Sequence, residues 1–249
     1  TFHYEIDFEA FEAAITPQTR LFYLCNPHNP GGRVFRRDEL ERLAEICLRH
    51  NVTICSDEIH CDLLMDDVQH IPIASLSPEV EQNTITMMAP SKTYNLAGLG
   101  CSVMIVSNDA LRAQIESWLM ASGVHVNTMG FVAGMAAYRD GDDWLQAALE
   151  YMRANRDFFV DAVRTRLPGI RATVPEATHL CWLDCRDLPI EDSPHEFFLK
   201  EARVAFNPGN FFGRSGDGFV RLNFACPRSI LEDAVDRMEQ ALNKLQAGS

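Results

Sequence analysis

Three polar residues stand where apolar runs stop. Asn26 follows Leu21-Phe22-Tyr23-Leu24-Cys25, Asp57 follows Val52-Thr53-Ile54-Cys55-Ser56, and Lys92 lies shortly after Thr84-Ile85-Thr86-Met87-Met88. An amine delivered to a strand end and partly stripped of water loses its proton more easily and can attack a carbonyl. Asp57, 92 − 57 = 35 residues upstream, can hold a positive charge close by, and Asn26 can donate a hydrogen bond. Each also has a plainer reading, Lys92 as a solvated surface amine and Asp57 and Asn26 as turn formers.

The elements that must position these residues are legible in the pattern. Strands are expected at 20–25, 52–55, 84–88 and 101–106, a short amphipathic helix at 8–15, and a helix after Asp38 running to His50. That helix carries acidic residues in its first turn and basic ones in its last, as its dipole favours, and Asn51 ends it. Two prolines and two glycines in Asn26-Pro27-His28-Asn29-Pro30-Gly31-Gly32 fix a specific loop. Strand, helix, strand at this spacing predicts a parallel α/β sheet, which binds ligands at the carboxyl ends of its strands. Helices follow at 109–122, 126–138 and 142–167, with Trp144, Leu145, Ala148, Met152, Phe158 and Phe159 as a packed apolar stripe. A smaller α+β portion then has strands at 180–183, 204–206 and 218–224 and a closing helix from Ser229 to about Leu245. The expected boundary lies near Gly141, dividing the chain into 1–140 and 141–249.

Composition narrows the chemistry. A formal net charge of −13 and a pI near 5.0 argue against nucleic acid and against anionic membrane surfaces, leaving small molecules or protein partners. The eight cysteines show no Cys-x-x-Cys pair and no Cys/His cluster at metal spacing, so no metal is expected and the thiols read as buried and free. No apolar run approaches the roughly 18 residues of a membrane span, and no basic segment with an apolar core marks a leader. A cytoplasmic protein is expected.

A pyridoxal-type aldehyde needs an amine to hold it as an imine, an anion beside its ring nitrogen, a donor to its phenolic oxygen and a cradle for its phosphate. Lys92, Asp57 and Asn26 suit the first three posts. Beyond that chemistry, four motifs carry a resemblance. Asn26-Pro27-His28-Asn29-Pro30-Gly31, Ser56-Asp57-Glu58-Ile59-His60, Ser91-Lys92-Thr93-Tyr94-Asn95-Leu96-Ala97-Gly98-Leu99 and Gly218-Phe219-Val220-Arg221-Leu222-Asn223-Phe224-Ala225-Cys226-Pro227 occur in this order. Together they resemble the class I/II aminotransferase-like enzymes of fold type I, which use pyridoxal 5'-phosphate. Their wording is most similar to the MalY/PatB-type cystathionine β-lyases, or C-S lyases. His60 is the most telling residue, since aminotransferase relatives commonly carry tyrosine there.

The resemblance covers nearly the whole chain and implies specific roles. Lys92 is to hold the cofactor as an imine and Asp57 to pair with its ring nitrogen. Asn26 is to bind the phenolic oxygen with His60 near the same edge, Ser91 to touch the phosphate, and Arg221 to grip the substrate α-carboxylate. The resemblance further implies a partial large domain with a mainly parallel sheet over 1–140, a smaller α+β domain over 141–249, and a homodimer. It departs from the wider superfamily at Ala89 and Gly100, where serine and arginine commonly serve the phosphate. It also implies a preceding portion with a phosphate loop and a ring-stacking aromatic, so the chain reads as the C-terminal part of a longer enzyme. The implied reaction is β-elimination on L-cystathionine or a related cysteine S-conjugate. Two alternatives stay open: an aminotransferase acting with a 2-oxo acid, and a regulatory or inactive relative that keeps the scaffold.

Overall fold

The computed structural model describes residues 1–247. The chain forms two compact units, one made of Glu5–His28 and Val34–Ala147, the other of Thr1–Tyr4, Asn29–Arg33 and the residues from Ala148 on.

The first unit begins with α1 (Phe8–Ala13), which is capped by Asp7 accepting the N–H of Ala10 at 2.9 Å. There follow β1 (Leu21–Cys25), α2 (Arg37–Arg49), β2 (Thr53–Asp57), α3 (Pro78–Gln82), β3 (Thr84–Met88), α4 (Pro90–Thr93) and β4 (Val103–Ile105). The strands lie in the order β1-β2-β3-β4. The first three are parallel, as the strand–helix–strand spacing predicts, whereas β4 pairs antiparallel with β3. Between β3 and β4 the chain makes only short turns, α4 and a 3₁₀ turn at Ala97–Leu99, and comes straight back instead of crossing the sheet.

Helix α2 is the β1–β2 crossover. It buries Leu40, Leu43, Ala44 and Cys47, spaced along one helical face, against Leu24, Val52 and Ile54 of the sheet. Each leucine so buried contributes roughly 1.5–3 kcal/mol. The helix starts one residue before Asp38, with the Glu39 carboxylate accepting the Arg36 N–H at 2.9 Å, and stops where Asn51 turns left-handed at φ 53°.

Helices α5 (Asp109–Ser122), α6 (Thr128–Asp140) and α7 (Asp142–Arg166) follow, the first two capped by Asn108 and Asn127. The buried stripe of α7 is Leu145, Leu149, Met152 and Phe159. Trp144, expected within it, is 51% exposed because it stands one position off that face.

The second unit carries an antiparallel sheet in the order β5-β6-β8-β7, built from β5 (Arg171–Ala172), β6 (Leu180–Asp184), β7 (Asn207–Pro208) and β8 (Phe219–Asn223). Helix α8 (Pro194–Phe197) precedes β7, and α9 (Arg228–Ala247) buries Leu231, Ala234, Val235, Met238, Ala241 and Leu242. The strand expected at 204–206 is not formed. Val204 and Phe206 are buried, but the Phe206 carbonyl accepts from His195 Nδ1 at 2.9 Å, and pairing begins only at Asn207.

All eight cysteines are free; Cys25, Cys101 and Cys226 are only half-buried, unlike the other five. Among the described residues no group of acidic, His and Cys side chains is arranged to hold a metal, and no helix is long and apolar enough to cross a membrane.

Candidate functional site

The register of the parallel strands gathers the residues read from sequence. Cys25 stands opposite Asp57, and Asp57 opposite Met87, so β1, β2 and β3 end side by side. The ladder runs one step further: the Asn26 N–H donates to the Asp57 carbonyl at 3.0 Å and the Glu58 N–H to the Met87 carbonyl at 2.9 Å. From β3 the chain passes through buried Ala89 into α4, which carries Ser91 and Lys92. Asn26, Asp57, His60, Ser91 and Lys92 therefore all belong to the first unit and flank the carboxyl ends of its parallel strands.

Lys92 is exposed, and among the described residues no side chain pairs with its Nζ. The chain has only two other lysines, Lys200 and Lys244, and Lys200 is held by Asp192 at 2.7 Å. The turn that bears Lys92 is anchored on both sides. Thr93 donates to Asp62 Oδ2 at 3.0 Å, and the Tyr94 ring packs edge-on to Tyr138 (centroids 5.7 Å) and tilted against Trp144 (6.3 Å).

Asp57 is partly buried. Its Oδ1 accepts the Ile59 N–H at 3.2 Å and its Oδ2 the Tyr23 hydroxyl at 3.2 Å. Burial, and then the Asp57 charge, push the Tyr23 phenol up to about 12, so Tyr23 remains a hydrogen-bond donor to Asp57 at neutral pH. His60 is buried just beyond the same turn.

Beside Asp57 lies a cluster the sequence reading passed over. Glu58, 1% exposed, accepts from Ser56 Oγ at 2.8 Å and from the Ile73 N–H at 3.4 Å, and pairs with His70 Nε2 at 2.9 Å. It ties the segment around 70–76 to the end of β2. Only its place between two motif residues, Asp57 and His60, could have flagged it.

Asn26 is 0% exposed. Its Oδ1 accepts the Phe35 N–H at 3.0 Å, which fixes the amide orientation and leaves Nδ2 with no hydrogen-bond partner.

The second unit holds Arg221 on β8. Its Nη1 donates to Asn29 Oδ1 at 2.7 Å and its Nη2 to Asn207 Oδ1 at 2.9 Å, while Nε is buried and unpartnered. No carboxylate among the described residues pairs with it, and burial lowers the guanidinium from its ordinary value. A half-buried cation bound only by neutral amide oxygens is arranged to receive an anion. Asn29 is the second residue missing from the sequence reading. It is partly exposed, and because Oδ1 is taken by Arg221 its Nδ2 is left to donate.

Residues 1–238 match the family model described as aminotransferase class I and II. Cystathionine beta-lyase PatB of Bacillus subtilis (strain 168) is 39% identical over 243 residues, covering 96% of this chain and 63% of PatB. Among solved structures, OvoB superposes with a TM-score of 0.91 at 45% identity, over 96% of this chain and 62% of that one. Cystalysin from Treponema denticola, whose structure contains a pyridoxal 5'-phosphate cofactor, superposes with a TM-score of 0.93 at 34% identity, over 98% of this chain and 62% of that one. The chain thus spans about three-fifths of the length of the proteins it matches.

Proposed function

Since the chain belongs to the aminotransferase class I and II family, with the fold type I architecture of its α/β sheet, we propose that it serves a carbon–sulfur β-lyase that uses pyridoxal 5'-phosphate. The observation that carries this is the pairing of strand ends: Lys92, an exposed amine without a partner among the described residues, follows β3, and the Asp57 carboxylate ends the neighbouring parallel strand. The residues present fit the cofactor. Lys92 supplies the amine, Asp57 the anion for the ring nitrogen, and Ser91 a hydroxyl for the phosphate, to which Ala89 and Gly100 add nothing. Exposure favours Asn29 over the sealed Asn26 as donor to the phenolic oxygen, with Asn26 holding the loop through Phe35. His60, buried just past Asp57, would lie near the same edge of the ring, where aminotransferase relatives carry tyrosine. On this reading the first unit belongs to the cofactor-binding large domain and the second is the small domain.

When bound, the cofactor supplies an electron sink for the negative charge that develops at the substrate α-carbon. Arg221 grips the α-carboxylate of an amino acid and so fixes which face of the α-carbon is presented. The Lys92 amine would take the α-proton. The Asp57 carboxylate, oriented by the Ile59 N–H and the Tyr23 hydroxyl, would face the ring nitrogen and hold a positive charge there. The Cβ–S bond then breaks, sulfur leaving with the bonding pair and taking up a proton. Hydrolysis of the released enamine gives pyruvate and ammonia. The free thiols suit a reducing cytoplasm, and a homodimer is part of the same reading.

The test is to supply L-cystathionine with cofactor and no 2-oxo acid. Equal amounts of pyruvate and thiol support the lyase. A strict requirement for a 2-oxo acceptor would make the protein an aminotransferase instead.

A further inference from the structure

We propose that Phe212 is a positioning residue for Arg221, and that the glycine-rich loop from Gly209 to Gly216 is folded to present it. The proposal rests on the assignment of Arg221 to the substrate carboxylate.

The Arg221 guanidinium carbon lies 4.7 Å from the centroid of the Phe212 ring. A cation over an aromatic face is attracted by the ring quadrupole without being neutralised. A carboxylate in the same place would pair with the guanidinium and compete with any ligand. The remaining partners are neutral too, Asn29 and Asn207, and Asn207 is the cross-strand neighbour of Arg221 in the β7–β8 ladder. Ring and amides together fix the plane of the guanidinium while its full charge stays available.

Phe212 is itself held. Its ring meets Trp182 edge-on, with centroids 5.3 Å apart, and Trp182 stacks on Phe219 at 5.3 Å and 9°. Trp182 is the register partner of Arg221 on β6, and its Nε1 donates to the Tyr4 hydroxyl at 3.0 Å. The loop bearing Phe212 closes where the backbones of Gly209 and Gly216 touch. A Cβ on Gly209 would lie 2.6 Å from the Phe219 carbonyl oxygen and nearer still to that of Gly216. Directly after Phe212 the chain turns at Gly213, with φ 115°. Backbone contact, reversal and aromatic stack all converge on one ring position.

The experiment compares the parent protein with Phe212→Leu and Phe212→Tyr, each checked by thermal melting. The first readout is the ¹⁵N spectrum of the Arg221 guanidinium, assigned through Arg221→Lys, which needs neither cofactor nor turnover. Resolved, slowly exchanging Nη signals are expected in the parent and in Phe212→Tyr, and their collapse in Phe212→Leu. The second is steady-state kinetics with the amino-acid substrate. In Phe212→Leu, KM should rise roughly five- to tenfold with kcat within about twofold, because the lost contact is made equally in ground and transition states. Should Phe212→Leu not fold, Phe212→Met makes the same comparison. Unchanged guanidinium signals in the aliphatic variant would overturn the proposal, as would a fall in kcat at constant KM. A parent without lyase activity would remove the lyase reading, while the guanidinium signals still decide on Phe212.

Discussion

Arg221 Nη1 donates to Asn29 Oδ1 across 2.7 Å, joining the last of the four motifs to the first, 192 residues apart in sequence. The contact makes Asn29 part of the carboxylate site and sets the direction of its amide. Asn29→Ala should raise KM for an amino-acid substrate about tenfold, which is about 1.4 kcal/mol. Asn29→Asp should do more harm despite its shape, because a carboxylate would occupy Arg221. Equal KM values for both variants and the parent, measured by initial rates, would separate Asn29 from substrate binding.

Glu58 gives a second prediction, this time on stability. Glu58→Ala leaves His70, Ser56 and the Ile73 N–H without their shared buried acceptor, at a cost of roughly 3–5 kcal/mol. Glu58→Gln keeps one carbonyl oxygen for Ser56 and Ile73 and should cost about 1–2 kcal/mol. Urea unfolding of the two variants checks the order.

Gly141 predicts a steric effect next to the lysine turn. A Cβ there would fall 2.6 Å from the Tyr94 ring, and the Ala137 carbonyl is closer still. Gly141→Ala should destabilise by roughly 1–3 kcal/mol through overpacking. Adding Tyr94→Ala should cost less than it does alone, a coupling that a double-mutant cycle of melting temperatures would show.

Asp184 carries the pH dependence. Its carboxylate bonds Arg186 at 2.8 Å and Arg171 at 2.6 Å, and the Arg186 side chain is the first cause holding it below the usual carboxylate range. With the folded value depressed, the contribution is fully present above about pH 4 and drains away as pH falls through the folded value. Asp184→Asn should therefore be less stable than the parent at neutral pH by roughly 1.5–3 kcal/mol. The gap should narrow in acid, as unfolding at a series of pH values will show.

Much of this was legible in the sequence because strand ends announce themselves. Apolar runs stop at Asn26 and Asp57 and just ahead of Lys92, and the helix between the first two demands a parallel crossover. Direction was not legible for β4, since Cys101-Ser102-Val103-Met104-Ile105-Val106 reads the same either way and only the short turns before it send it back. Trp144 was misplaced because its helix has an apolar residue one step outside the buried stripe. Glu58–His70 and Arg221–Asn29 could not be read at all. Each joins residues whose spacing follows no helix or strand period, so only the folded chain shows that they meet.

The most direct test of the account is where the cofactor attaches. The protein is mixed with pyridoxal 5'-phosphate, reduced with borohydride, digested and mapped by mass spectrometry, with Lys200 and Lys244 as internal controls. The account predicts a visible absorbance band that reduction abolishes and a pyridoxyl group on the Lys92 peptide, both lost in Lys92→Ala. A label spread evenly over the three lysines, or one that survives Lys92→Ala unchanged, would contradict it.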